Sequence, residues 1–380
     1  MNSNLPSTTY QKHHSFDFFY SQKKTDIEEQ QKRCLRLLEK IEGNSYFNEI
    51  LSAAKKELTE TQDSKFKITT FIADEISLLE DSQIPNYLFH RYRYDVFPQE
   101  FRLDDYPPYL QIEPSSICNY QCVFCYQTDR NYFTKSSGKM GGMSLDLYKK
   151  ITDEILGKVE FLSLASRGEP LLCKDMDSIL EYVVGKHLVL KLNTNASMLN
   201  EKHIHAILAG GVRTVVFSAD AAEEPLYSQL RVNGKLEKVL KNIELFQKIR
   251  ETEYSKTKII SRVSGVKVQE EQAFDKMKQV WGGLVDQVVF VKYNPWENIY
   301  ESEANGIQSP CSDLWRRMFV WFDGEVNPCD SDYRSTLSMG KFPEVSITDL
   351  WRKERYTDLR NAHLNKARQV VEPCKRCSVI

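Results

Sequence analysis

Three cysteines in the stretch SICNYQCVFCY, Cys118, Cys122 and Cys125, stand in a C-x3-C-x2-C spacing. Thiols gathered on one loop are the ligands of zinc and of iron-sulfur clusters, and both sites commonly take four. Three thiolates are therefore an incomplete set. An iron cluster held by three has one iron free to bind something else; the alternatives are zinc completed by a distant histidine, or three ordinary buried cysteines. Four more, Cys311, Cys329, Cys374 and Cys377, follow the pattern C-x17-C-x44-C-x2-C near the C-terminus. Four thiolates make a closed set, suited to structural zinc or to a complete iron-sulfur cluster. Cys34 and Cys173 stand alone and read as small core residues.

The remaining composition is that of an ordinary near-neutral chain. Of 380 residues, 51 are basic and 53 acidic, a balance that implies no nucleic-acid partner. No apolar run approaches the roughly 20 residues needed to span a bilayer, and MNSNLPSTTYQKHHS has no apolar signal core. A cytoplasmic protein without a membrane partner is expected. In that reducing compartment nine cysteines serve as metal ligands or catalytic groups rather than disulfides.

The elements that must position these thiols begin with a helical segment over residues 1–100. Residues 1 to about 23 show no period, whereas DIEEQQKRCLRLLEKIE and YFNEILSAAKKELTE repeat apolar residues three or four apart. Such helices can cover the barrel mouth, pair two chains or bind a partner. From Tyr109 short β-rich runs, YLQIEP, VEFLSLA, LVLKLNT, RTVVFSA, KIISRVSGV and DQVVFVKY, alternate with amphipathic helices. That alternation signals βα units and a parallel sheet, with the working face at the C-terminal strand ends. Periodicity does not choose between a partial barrel and an open doubly wound sheet. In either, the three-cysteine loop follows the first strand and lies at the mouth. Residues 294–310 read as a linker, and residues 311–380 hold a hairpin around Asp323-Gly324 and a final helix.

The loop resembles the signature of the radical S-adenosylmethionine (radical SAM) superfamily, C-x3-C-x-aromatic-C, with Phe124 in the aromatic place. The resemblance implies an α/β fold in which residues 105–293 form a partial (β/α)6 TIM-like barrel. It also implies that the three thiolates hold a [4Fe-4S] cluster whose fourth iron is chelated by S-adenosylmethionine. Reductive cleavage then gives methionine and a 5′-deoxyadenosyl radical that takes hydrogen from the substrate. SRGEP resembles the family's GGE segment, so Gly168 and Glu169 are expected at the methionine ammonium, with Arg167 in place of the first glycine. By the same likeness, Asn193 or Asn195 of LNTNA reaches the ribose or adenine, and Ser218 and Asp220 of FSAD point into the mouth. Arg231 resembles the arginine that meets the cofactor carboxylate, and Arg262 is its rival by alternation along SRVSGV.

Residues 311–380 resemble the SPASM extension in its shortened twitch form, which implies one auxiliary [4Fe-4S] cluster. The spacing is most like that of the aminocyclitol dehydrogenase of this group. An oxidoreductase acting on a sugar, nucleotide sugar or aminocyclitol is thus implied, with a flavodoxin- or ferredoxin-type electron donor. Tyr293, Trp296, Glu297, Arg316, Asp330 and Tyr333 are the candidate substrate groups, and no proton acceptor is assigned. The competing readings are a peptide maturase and a non-catalytic metal-bearing scaffold; the SRGEP and LNTNA elements speak against the scaffold.

Overall fold

In the computed structural model, which describes residues 16–60, 63–294 and 299–380, the βα alternation builds one continuous sheet. Among the described residues the strands are β1 (Phe16–Ser21), β2 (Tyr109–Ile112), β3 (Gln121–Cys122), β4 (Phe161–Leu164), β5 (Val189–Thr194), β6 (Thr214–Ser218), β7 (Arg231–Val232), β8 (Ile260–Lys267), β9 (Gln287–Lys292), β10 (Arg317–Val320), β11 (Glu325–Asn327) and β12 (Gly340–Lys341). Six parallel strands, in the order β9-β8-β6-β5-β4-β2, form the partial barrel. β1 adds antiparallel to the β9 edge, and β10 adds parallel to β2. The sheet then ends in β11 and β12, so the barrel stays open on that side.

Strand alternation gives the barrel two unlike faces. Leu110, Ile112, Leu162, Leu164, Leu190 and Leu192 point outward into the apolar core shared with the crossover helices. Each such burial contributes about 1.5–3 kcal/mol. The residues between them, Gln111, Ser163, Lys191 and Asn193, face the lumen, as do Thr214, Ser218, Arg262 and Gln287 by register, together with the apolar Val216, Ile260 and Val289.

Four helices, α1 (Ile27–Leu38), α2 (Tyr46–Thr59), α3 (Thr70–Ser77) and α4 (Ile84–Val96), precede the barrel. Their apolar faces form a second core that also takes in Phe161, Val189 and Tyr109, the first residues of β4, β5 and β2. The helices therefore close the floor of the barrel, at the opposite end from the mouth that they were free to cover on sequence grounds. Asp74 of α3 accepts a hydrogen bond from Gln287 Nε2 at 2.6 Å, and buried Glu75 accepts one from the Tyr87 hydroxyl at 2.6 Å. No described helix is long and apolar enough to cross a membrane.

The C-terminal hairpin turns at Gly324, whose φ of +88° and whose missing Cβ, which would lie 2.2 Å from the Phe342 carbonyl oxygen, require glycine. Residues 299–310 carry turns without helix or strand.

Candidate functional site

The loop that follows β2 carries the first three cysteines, and a two-residue ribbon fixes it: β3 pairs antiparallel with β7, setting Cys122 opposite Arg231. The Val123 amide donates to the Leu230 carbonyl at 3.1 Å, and the Cys125 amide to the Cys122 carbonyl at 3.1 Å. Backbone amides also approach two sulfurs, Tyr120 N at 3.4 Å from Cys118 Sγ and Gln127 N at 3.5 Å from Cys125 Sγ. Burial raises all three thiols, and the charges of neighbouring groups, the other cysteines among them, raise Cys118 and Cys125 further. Three thiols within reach of one another's charge ionise together only around a strongly cationic centre, which is what an iron-sulfur cluster supplies.

SRGEP lies against this loop. A Cβ on Gly168 would sit 2.3 Å from the Ser115 carbonyl oxygen and 2.5 Å from that of Ile117, so only glycine permits the approach. The next amide, Glu169 N, donates to Ile117 O at 2.8 Å. The buried Glu169 carboxylate accepts from Leu171 N at 3.1 Å, Thr194 Oγ1 at 2.5 Å and Asn195 N at 2.6 Å. Burial pushes this carboxyl up, and those bonds oppose the rise. Asn195 donates to Asn119 Oδ1 at 3.0 Å and reaches Cys118 Sγ at 4.0 Å, while its carbonyl oxygen accepts from Ser197. Asn193 presents a buried side-chain oxygen without a hydrogen-bond partner. Ser218, half-buried, closes β6.

Arg231 is brought to the same end. Its Nε pairs with the buried Asp220 carboxylate at 2.5 Å, its Nη1 lies 3.9 Å from Cys122 Sγ, and its guanidinium is 5.9 Å from the centre of the Phe124 ring. The cation expected at the cofactor carboxylate is thus already half-neutralised by Asp220. Arg262 is not part of this group: it lies near the amino-terminal end of β8, bonds Gln287 Oε1 at 2.8 and 2.6 Å, and covers the Phe71 ring at 4.6 Å. Alternation did turn it inward, but toward the floor helices rather than the mouth.

Sequence reasoning missed the role of Arg167. It forms a fully buried bidentate pair with Glu113, Nε to Oε2 at 2.7 Å and Nη2 to Oε1 at 2.6 Å, and covers the Trp321 ring at 4.3 Å. It also donates to the Tyr333 carbonyl at 3.0 Å. One side chain so ties β2, the SRGEP loop and the C-terminal region together. A glutamate directly after a barrel strand was the available signal, and its partner was visible only once β2 and β4 were neighbours.

The C-terminal cysteines converge from three separate segments, with Cys374 and Cys377 on one turn. Burial, and then the charges of Cys377 and Cys329, drive the Cys374 thiol far above its ordinary value, with Cys311 adding a smaller effect. The Cys311 amide donates to His363 Nδ1 at 3.1 Å, and Ser331 N lies 3.3 Å from Cys329 Sγ. Around them, the Asn327 amide, the Ser331 hydroxyl and His363 Nε2 are buried without hydrogen-bond partners. Orphaned donors beside four mutually close thiols fit an anionic sulfide-bearing cluster. Among the described residues no group of three or more His, Cys, Asp or Glu is placed to hold a single metal ion.

Of the substrate candidates, Trp296 and Glu297 lie outside the described residues. Arg316 pairs with Asp313 at 3.0 Å and donates to the Tyr94 carbonyl, which makes it a tie to the floor helices. Tyr333 is fully buried, stacks on Tyr126 with 5.4 Å between ring centres and donates to Asp129 at 3.0 Å, bridging the two cysteine regions. Tyr293 and Asp330 are half-buried.

Residues 112–273 match the model of the radical SAM superfamily, and residues 311–378 match that of an iron-sulfur cluster-binding domain, SPASM. The chain belongs to the radical SAM superfamily and carries a C-terminal SPASM domain. These domains bring a [4Fe-4S] cluster that binds S-adenosylmethionine, and an auxiliary iron-sulfur centre. The chain is 22% identical over 280 residues, covering 71% of it and 92% of the relative, to the S-adenosyl-L-methionine-dependent 2-deoxy-scyllo-inosamine dehydrogenase of Niallia circulans. It is 32% identical over 136 residues, 36% of this chain and 43% of the relative, to a probable GTP 3′,8-cyclase of Methanococcus maripaludis. In fold it is similar to Streptococcus suis SuiB bound to precursor peptide SuiA, with a TM-score of 0.53 and 14% identity over 88% of this chain and 84% of that one.

Proposed function

We propose that this radical SAM enzyme is an oxidoreductase that removes two electrons from a small polyhydroxylated or aminated substrate, of the sugar or aminocyclitol class. The observation that carries the reading is the four-thiol C-terminal group: four ligands leave no iron open for substrate, so the centre suits electron acceptance. When bound, S-adenosylmethionine and its cluster supply the hydrogen-abstracting radical. Cys118, Cys122 and Cys125 hold that cluster; Gly168, Glu169, Asn193, Asn195, Ser218 and Arg231 with Asp220 orient the cofactor; and Cys311, Cys329, Cys374 and Cys377 hold the auxiliary centre.

The polar side chains among the lumen residues, Gln111, Ser163, Asn193 and Ser218, support this substrate class, since hydroxyl and amino groups need hydrogen-bonding partners. The similarity to a 2-deoxy-scyllo-inosamine dehydrogenase over most of both chains supports it further. Against a peptide maturase stands the use of the N-terminal helices, whose apolar faces are occupied by the barrel floor. A flavodoxin- or ferredoxin-type donor supplies the reducing electron.

The test is anaerobic reconstitution followed by incubation with aminocyclitols and nucleotide sugars. Substrate-dependent 5′-deoxyadenosine and a product lighter by two hydrogens are expected. Deoxyadenosine accompanied by a product of unchanged mass would overturn the oxidation.

A further inference from the structure

The oxidation needs a group to take the substrate's proton, and one lumen side chain is built for it. We propose that Lys191 is the proton acceptor, taking the hydroxyl proton of the substrate as its carbon radical is oxidised. The proposal rests on the oxidoreductase reading above.

β5 carries the argument. Leu190 and Leu192 belong to the outer core, so Lys191 and Asn193 face the lumen. Going toward the mouth, Lys191, Asn193 and Asn195 form a column with steps of roughly 6.6 Å, set by two residues of parallel strand. Asn195, at the top, touches Cys118 Sγ. Asn193, in the middle, offers an unpartnered side-chain oxygen. A substrate lying in the lumen below the cofactor groups at Asn193 and Asn195 therefore has the radical source on the mouth side and Lys191 on the floor side. In register, Lys191 is flanked by the short hydroxylated Ser163 and Thr214, which leave the amine its space.

The amine is also unspent. Among the described residues Lys191 makes no hydrogen bond or ion pair, and it keeps part of its surface open although the barrel surrounds it. The charges that face it are Arg262 from β8, Arg317 from β10 and Glu75 from α3. Glu75 already accepts from Tyr87, and Arg262 bonds only the Gln287 amide oxygen, so no carboxylate is committed to the lysine. Burial and the two arginines push its ammonium down to about 7, where a free amine is available as a base.

The step balances. The hydrogen first removed from the substrate carbon forms the new C–H bond of 5′-deoxyadenosine. At the substrate the O–H bond then breaks, its proton forms an N–H bond on Lys191 and the C–O bond becomes double; the electron left over would go to the auxiliary iron-sulfur centre that Cys311, Cys329, Cys374 and Cys377 would hold when it is bound.

Competitive acetylation of the reconstituted full-length protein across pH, read peptide by peptide by mass spectrometry, tests the amine directly. Half-reaction of Lys191 near pH 7 is expected, well below the ordinary lysine value of 10.5. A midpoint like that of exposed lysines, or no reaction at any pH, overturns the proposal. The second arm uses 2-deoxy-scyllo-inosamine as the probe substrate. Lys191→Ala should lower its oxidation by about 10²-fold or more while deoxyadenosine still forms, and added propylamine should restore product. Equal loss of both without amine rescue, or undiminished product, overturns it. If the unaltered enzyme forms deoxyadenosine yet oxidises no aminocyclitol or sugar, the oxidoreductase reading falls and the acceptor role with it, while the acetylation midpoint still reports the lysine.

Discussion

Cys118, Cys122 and Cys125 come from one loop, whereas Cys311, Cys329 and the Cys374/Cys377 turn are gathered from three segments that the fold must first bring together. The loop group is held by short-range bonds, a two-residue ribbon and one close glycine, and Cys118 and Cys125 remain only partly covered. In the C-terminal group Cys311 and Cys377 are buried, with the buried His363 bonded to the Cys311 amide, and Cys329 and Cys374 are likewise only partly covered. The difference lies in ligand number: three thiols leave room for a second ligand on a cluster, and four make a closed set. On the function proposed above, two sites built from the same ligand would do different work: one binding a cofactor and releasing its fragments, the other accepting an electron.

The comparison breaks if the two groups respond alike to losing a thiol. Cys118→Ala, Cys122→Ala and Cys125→Ala should each abolish deoxyadenosine formation, because a cluster short of one of three ligands loses its anchor. Cleavage at the ordinary rate in any of the three would remove that loop from the chemistry. Next in size, Cys374→Ala should keep cleaving S-adenosylmethionine without yielding oxidised product. Metal analysis sharpens the contrast: about eight irons per chain are expected for two cubanes, and about four irons with one zinc would make the C-terminal centre structural.

The two groups also differ in how far they were legible. A local spacing such as C-x3-C-x2-C is recognisable in the sequence, and its resemblance to the radical SAM signature, with SRGEP and LNTNA, implied which strand ends meet. The strand runs were legible for the same reason, since each is bounded by turns and helices with a distinct period. FDFFYS was not, because an edge strand such as β1 has one ladder and half-exposed rings, so neither face shows a clean pattern. Nor could alternation say which end of the lumen Arg262 would face: period 2 fixes the side of the sheet, not the height along the strand. Arg167 and Lys191 were passed over because their meaning lies in partners, present for one and absent for the other, that only the assembled barrel reveals.

Arg167 links the two cysteine regions, so its loss should be felt at both. In Arg167→Met the fully buried Glu113 carboxylate loses the cation it pairs with, a change that costs about 3–5 kcal/mol in comparable pairs. Tyr333 loses its donor in the same step. A lower melting temperature is expected, together with less iron retained at the C-terminal centre. Replacing Glu113 by Leu as well should recover much of the stability but not the tie to Tyr333. If the single variant melts like the unaltered protein, the pair does not join the two regions.

The smallest effect is expected at the floor. Arg262→Met removes a buried cation that feels the charges of Glu75 and Asp74 but makes no ion pair among the described residues, at the cost of leaving the Gln287 oxygen unpaired, about 1–3 kcal/mol. Both cysteine groups lie elsewhere, so S-adenosylmethionine binding and deoxyadenosine formation should be unchanged; a large loss of cofactor affinity would return Arg262 to the mouth as the carboxylate's partner. What should move is Lys191. Its ammonium is held down by burial first and by Arg262 second, so removing that like charge must raise its midpoint above about 7. The amine is then free over a narrower range, and product formation should need a higher pH while cofactor cleavage keeps its own profile. A Lys191 acetylation curve that does not shift in Arg262→Met would separate the lysine from the floor charges and leave burial alone to account for its state.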